Sequence, residues 1–459
     1  MYSINRKTSN FTYISIFPLI TLAVLGFLNF STNISIISIP NHLSNHASVV
    51  QNDLVPKQTA DYLIKLMKEF GDFHSNVNQG KGQGFKPTYE HIGEGIPINS
   101  DGSCSHNLLY PNSDRTLCIL PERVDIGKHF IMTGGIDGTK ENFQDLVDRV
   151  SSFGRYTFFK DMDEYPLIKA LFENEKFVSA AKKICPKEAP YLDPFQFNYI
   201  VQVPGQTVSL HIDSPYFWGA SRYHFPQWLL VCMVFSGLFQ DIFIHQVQVV
   251  AYFHDWDSGS SNSSDLNTSK LKSKKGGQFV FYINSSYTET IEPHSLSGSF
   301  IDGSKLIHAA KIYQPHVKAP HIDKDKETVL KYVGGEDWEV QSDGATMKKY
   351  KTSDLRLSLV YRAKCFADAE EAKRYENLGS DKLLSLELVI DKLTANLIDK
   401  KIASAEKVKS MSRLELAFFL IDSYIVYPLP STEMTWMPYN YCVLSKLYPW
   451  TQPLLKYIC

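Results

Sequence analysis

His211 and Asp213 stand two residues apart in QVPGQTVSLHIDSPYF, a stretch whose alternation reads as a β-strand. Side chains at i and i+2 of a strand point to the same face. An imidazole and a carboxylate therefore project side by side, just after the turn-forming Pro204-Gly205. That pair is two thirds of a 2-His-1-carboxylate set, which leaves three positions open on a ferrous ion. By itself the H-x-D spacing is a weak signal. A lone His211 can be a structural histidine, and Asp213 before Ser-Pro can merely start a turn.

The residues around it have to supply the rest. FQFNYIVQV (195–203) and TVSLHID (207–213) alternate in polarity, and HQVQVVAYFHDW (245–256) and GGQFVFYI (276–283) follow as further strands. SGSFIDG (297–303) and KLIHAAKIY (305–313) follow, and Asp302-Gly303 between them reads as a hairpin turn. LRLSLVYRA (355–363) is the last strand. About seven short strands with turn signals between them predict an antiparallel sandwich or barrel. In the final strand Leu355, Leu357 and Leu359 share one face, and Arg356, Ser358 and Val360 the other. The leucines must meet a core, which turns the guanidinium and hydroxyl toward the mouth of the barrel. A guanidinium with a neighbouring hydroxyl suits a carboxylate, which it grips through two charge-assisted hydrogen bonds. His308, on a face with Leu306 and Ala310, is the candidate second histidine. His254, His294, His316 and His321 sit at strand ends or near prolines in loop-like sequence.

The order H-x-D, GG-x-F-x-F, F-x-D-G-x-x-x-x-H and R-x-S resembles the iron(II)- and 2-oxoglutarate-dependent dioxygenases. The resemblance covers about 195–363 and implies a double-stranded β-helix (jelly roll) core; with the helical patterns before and after it, the expected fold is α+β with helical N- and C-terminal additions. It implies iron ligation by His211, Asp213 and His308. It assigns the distal carboxylate of 2-oxoglutarate to Arg356 and Ser358, with a further cosubstrate contact from Tyr199. It also implies dioxygen as oxidant, succinate and carbon dioxide as co-products, and hydroxylation of a substrate that the sequence does not name. Some members use a lysine about ten residues after the second histidine, where Lys318 stands, but QPHVKAPHIDKDKE around it is not strand-like. Two rival readings stay open: a membrane-anchored jelly-roll binding protein without turnover, and a cupin-type metal enzyme that uses no 2-oxoglutarate.

The spacings are long, with 95 residues from Asp213 to His308 and 48 from His308 to Arg356. Polar insertions at 257–275 and 314–353 account for both. The oxygenase domain is expected at 191–365, preceded at 53–190 by a loop and helical support region. In that region 140–184 shows helical spacing throughout. The helical extension at 366–459 is left unexplained. Residues 225–239 (FPQWLLVCMVFSGLF) are apolar and predict an element covering the barrel, too short for a membrane span.

Composition narrows the class. Hydrophobic residues make up 44% of the 459, enough for a large core, and 47 basic against 49 acidic residues give a net charge of −2. No clustered basic patch marks a nucleic-acid partner. Residues 12–30 form a nineteen-residue uncharged run preceded by Arg6 and Lys7. Its length suits a membrane span, and the flanking charge holds residues 1–11 in the cytosol. The expectation is a signal-anchor, then a stalk at 31–52, then a lumenal or extracellular catalytic domain; secretion after signal cleavage is the alternative. Sequons at Asn262, Asn267 and Asn284 fit that route. Among seven cysteines, Cys104 and Cys118 bracket a loop and can form a local disulfide, and the odd count leaves at least one thiol unpaired within the chain.

Overall fold

The strand of 191–202 and seven that follow it build two facing sheets. We label them β1 (Tyr191–Gln202), β2 (Val208–His211), β3 (Gln246–Tyr252), β4 (Phe279–Tyr282), β5 (Thr288–Ile291), β6 (Gly298–Ile301), β7 (His308–Ala310) and β8 (Arg356–Phe366). Strands β6-β3-β8-β1 lie side by side within a ten-stranded sheet, and β5-β4-β7-β2 form a four-stranded one. All pairings are antiparallel. The chain passes between the sheets in the order of a jelly roll, the double-stranded β-helix. A computed structural model describes residues 38–75, 95–254 apart from 107 and 113, 256, 275–431 apart from 324 and 325, 435, 437–444 and 452–455. These belong to one unit, Ile39–Cys459, except Ser38, which falls in a second unit, Met1–Ser38.

Alternation decides what each sheet face meets. Leu355, Leu357, Leu359, Tyr361 and Ala363 are buried on the outer face of the larger sheet. There they pack with helices α1 (Lys57–Phe70), α2 (Pro166–Glu173) and α3 (Glu175–Lys182). On the smaller sheet Leu210, Ile212, Val280, Ile307 and Ala309 face outward into a second core. That core is shared with α4 (Gln227–Ser236), α5 (Leu386–Asp399) and α6 (Arg413–Tyr424). Helix α4 is the apolar stretch of 225–239; it is ten residues long and buried almost all round. Between the sheets lies a smaller apolar cluster of Val250, Tyr252, Phe279, Phe281, Ile301, Leu306 and Val360.

Several expectations need correction. The segment 140–184 is not helical throughout, because Phe153–Phe158 forms a strand beside β1. Its FGRYTF sequence is aromatic and β-branched, which suits a pleated surface better than a helix. The insertion at 314–353 is not a plain polar loop. Residues 328–351 make a three-stranded meander with positive-φ glycines at both turns, and Asp72–Ser75 joins it to the sheet. Leu330, Trp338, Val340 and Tyr350 bury its inner face. Within the expected stalk, Ser48–Gln51 pairs with β6. Asp302-Gly303 closes no hairpin, because β6 and β7 lie in different sheets; the turn carries the chain from one sheet to the other.

The run at 12–30 and the sequons Asn262 and Asn267 lie outside the described residues. Among those described, no helix is long and apolar enough to cross a membrane. Asn284 is described, and its side-chain oxygen accepts from Ser286 N and Tyr287 N.

Cys104 and Cys118 are joined, as the loop between them suggests. A second disulfide, Cys185–Cys365, ties α3's end to β8 across 180 residues, and Cys442 is also disulfide-bonded. Cys232 is free and buried in α4. A crosslink that closes so long a loop removes much entropy from the unfolded chain. Cys185→Ser is expected to cost about 2–5 kcal/mol, measured as the loss in denaturant-unfolding free energy under non-reducing conditions.

Candidate metal centre

β2 ends on His211, and β7 begins on His308 directly opposite it in register. Their rings lie 4.2 Å apart. Asp213, just past β2, is held by its backbone N–H donating to Gly303 O at 2.7 Å. One ligand atom from each of His211, Asp213 and His308 lies within 4.8 Å of the others, and the cluster is largely buried. His211 and His308 use the same local device: each Nδ1 lies 2.8 Å from the carbonyl two residues back, Ser209 O and Leu306 O respectively. A Nδ1–H donated to a carbonyl leaves the Nε2 lone pair for a metal. His308 Nε2 is buried and has no hydrogen-bond partner. Burial, with His211 beside it, pushes the His308 imidazole down to about 3, so it stays neutral, the form that ligates. A buried orphan nitrogen facing a second imidazole and a carboxylate fits a divalent transition metal with imidazole and oxygen ligands.

Asp213 is not alone in its charge. Arg362, on β8, donates Nη2 to Oδ1 at 2.8 Å and Nε to Oδ2 at 3.2 Å. Burial would raise the Asp213 carboxyl, but the Arg362 guanidinium together with the His211 and His308 imidazoles outweighs it and holds the group well below the usual carboxylate range. Arg362 both neutralises and aims the ligand. Sequence reading did not find it, although the signal was there: 356, 358, 360 and 362 share one face.

Gly303 completes the cradle. A Cβ there would lie 2.5 Å from Asp213 Oδ2 and would also collide with Gln248 Oε1. Gly303→Ala is therefore expected to displace the carboxylate and weaken iron binding about 10- to 100-fold, read by equilibrium dialysis; unchanged affinity would show that the carboxylate does not depend on this contact.

Arg356 sits at the opposite end of β8, buried between the sheets. It donates Nε to Gly277 O at 3.0 Å, Nη1 to Gln202 Oε1 at 2.5 Å and Nη2 to Tyr252 OH at 3.1 Å. Three of its five N–H groups are thus engaged. Gly277, in the GG pair, has φ +75° and leaves room for the guanidinium, since a Cβ there would come within 3.1 Å of Arg356 Cδ. Gln202 Nε2 is buried without a partner. Two guanidinium N–H groups, the Tyr252 hydroxyl and a free amide make a donor-rich pocket that fits a carboxylate. Ser358 faces the same space and donates to Ile200 O at 3.3 Å.

Tyr199 does not belong to this pocket. It pairs with Leu359 across β1 and β8, so it shares the leucine face. Its ring packs against Phe70, Phe73 and Phe253 in the outer core. Gln202, opposite Arg356, and Tyr252, opposite Ser358, occupy the inner face instead. The parity error has a simple cause: β1 is long and buried on both faces, so its hydrophobic pattern does not say which side is inward. Lys318 is exposed and bonded to Asp145 Oδ1 at 2.7 Å. His254 is locked between Leu357 O and Pro293 O, and His321 faces Asp148.

No family model and no curated protein matches the sequence. Solved structures do match. A prolyl-4-hydroxylase of Pseudomonas putida aligns with 72% of this chain and 98% of its own at 9% identity and a TM-score of 0.27. A prolyl hydroxylase of Trichoplax adhaerens, in complex with a hypoxia-inducible-factor peptide, aligns over 56% and 80% at 9% identity and 0.26. The collagen prolyl hydroxylase of Paramecium bursaria Chlorella virus-1, a 2-oxoglutarate complex, aligns over 47% and 79% at 11% identity and 0.23. The chain resembles the iron(II)- and 2-oxoglutarate-dependent oxygenases. That resemblance rests on the residues of the site.

Proposed function

We propose that this protein is an iron(II)- and 2-oxoglutarate-dependent dioxygenase, a hydroxylase in its default outcome. The observation that carries the reading is the buried, unpartnered His308 Nε2 facing His211 and the Arg362-held Asp213. In this reading His211, Asp213 and His308 hold the iron, and Arg356 with Tyr252, Gln202 and Ser358 receives the distal carboxylate of 2-oxoglutarate. Iron, 2-oxoglutarate and dioxygen supply oxidative decarboxylation to succinate and carbon dioxide, with oxygen transfer to a substrate C–H bond. The chain's own part is to present neutral imidazoles, to keep Asp213 ionised through Arg362, and to anchor the cosubstrate at a fixed depth between apolar sheet faces. A cupin-type enzyme has no use for the Arg356 pocket, and a binding module has none for the orphan nitrogen.

The test is anaerobic optical titration with iron(II) and then 2-oxoglutarate. A visible charge-transfer band that needs both and is lost in His308→Ala supports the reading. Iron binding without the band favours an enzyme that does not use 2-oxoglutarate, and no iron binding ends the enzyme reading. We further place the catalytic domain in the secretory pathway behind a signal-anchor at 12–30. The length of that uncharged run and the Arg6 and Lys7 that precede it support this, as do the disulfides, which persist in oxidising compartments. Protease protection in sealed microsomes checks it; digestion without detergent would overturn it.

A further inference from the structure

The peptide group between the two H-x-D ligands is gripped from both sides. Its N–H, from Asp213, goes to Gly303 O. Its carbonyl, from Ile212, accepts from Arg123 Nη1 at 3.1 Å. Arg123 precedes the helix Val124–Thr133 and lies far outside the jelly roll in sequence. Its other nitrogens form a fork on Asp125, with Nε–Oδ1 at 3.1 Å and Nη2–Oδ2 at 2.9 Å. The Asp125 side chain is fully buried. Asp125 Oδ2 accepts a further hydrogen bond, at 2.7 Å, from the hydroxyl of Tyr427.

Tyr427 follows α6 in the C-terminal extension. It is 4% exposed and is seated edge-on against His129 and Phe235. Burial, joined by the Asp125 carboxylate, pushes its phenol well above the ordinary range, so it remains a donor. The chain of contacts Tyr427–Asp125–Arg123–Ile212 O thus runs from the extension to the backbone that orients Asp213.

We propose that Arg123 and Tyr427 are positioning residues for the metal centre, and that the extension beyond 366 serves the oxygenase by fixing the Ile212–Asp213 peptide. The physical logic is that a carboxylate ligand is aimed by its Cα, and the Cα by the peptide plane before it. Arg362 pins the far end of the side chain; Arg123 pins its root. Asp125 keeps the Arg123 guanidinium in one orientation, and Tyr427 does the same for Asp125. Losing such outer contacts commonly costs 10- to 100-fold in metal affinity. This inference rests on the iron reading above.

The experiment compares Tyr427→Phe and Arg123→Lys with Tyr424→Phe, all in the full chain. Tyr424 is also buried and hydrogen-bonded, but to Leu393 O and Asn396 Oδ1, outside the chain of contacts. Iron(II) dissociation constants by anaerobic dialysis are measured together with melting of the metal-free protein. Tyr427→Phe and Arg123→Lys should weaken iron about 10-fold or more and shift the charge-transfer band, while Tyr424→Phe lowers melting without moving either. If all three bind iron as the wild type does, or weaken it only in proportion to lost melting temperature, the inference is overturned. A wild-type protein that takes no iron defeats the underlying reading instead. Should Tyr427→Phe not fold, Arg123→Lys, which keeps the charge, decides.

Discussion

Asp213→Ala is expected to abolish iron binding and to destabilise the metal-free protein by about 3–5 kcal/mol. The first effect follows from losing the single anionic ligand, which leaves two neutral imidazoles to hold a divalent ion. The second follows from Arg362, whose fork on Asp213 would be left as a buried charge without its partner. A second variant separates the two. Asp213→Ala combined with Arg362→Met removes both charges, so stability should recover while iron binding stays absent. Metal content after dialysis and denaturant unfolding measure the two separately. Undiminished iron occupancy in Asp213→Ala would sink the ligand assignment, and a single variant as stable as wild type would show that Arg362 finds other partners.

Arg356→Ala is expected to raise the 2-oxoglutarate requirement by about 30- to 5,000-fold, since removing one partner of a buried charged pair costs about 2–5 kcal/mol. Arg356 is 3% exposed and its guanidinium is aligned by Gly277, Gln202 and Tyr252, so little of its interaction is lost to solvent. Lys318→Ala should change the requirement by less than a factor of about 5, because an exposed pair such as Lys318–Asp145 is worth at most about 1 kcal/mol. Titration of the charge-transfer band against 2-oxoglutarate measures both variants without a substrate. The reverse ranking would move the carboxylate site to Lys318.

The two ends of the site were legible to different degrees. His211 and Asp213 announce themselves because a strand puts i and i+2 on one face, whatever the tertiary fold. Arg356 and Ser358 are legible for the same reason, with the leucines opposite them fixing which face is which. Tyr199 failed that test because β1 has buried residues on both faces, and local alternation cannot choose between two cores. The Asp302-Gly303 turn failed for a related reason. A two-residue turn signal states that the chain reverses, not whether the next strand pairs with the last one or crosses to another sheet.

Strand alternation put Arg362 on the inner face, but which group each residue meets across a long separation carried no local mark. Arg362 sits 149 residues from the carboxylate it grips, and Arg123 lies 89 residues from the carbonyl it holds. Cys185 and Cys365 are 180 apart. The sequence by itself determined the chemistry on offer: two histidines, an aspartate and an arginine on strand faces, in an order that implies the family. Only the tertiary structure decided which groups point into one space, which polar atoms are left buried and unpaired, and what braces Asp213. Side-chain direction along a strand is a local steric property, whereas pairing between strands and burial of charge depend on how distant segments share a core.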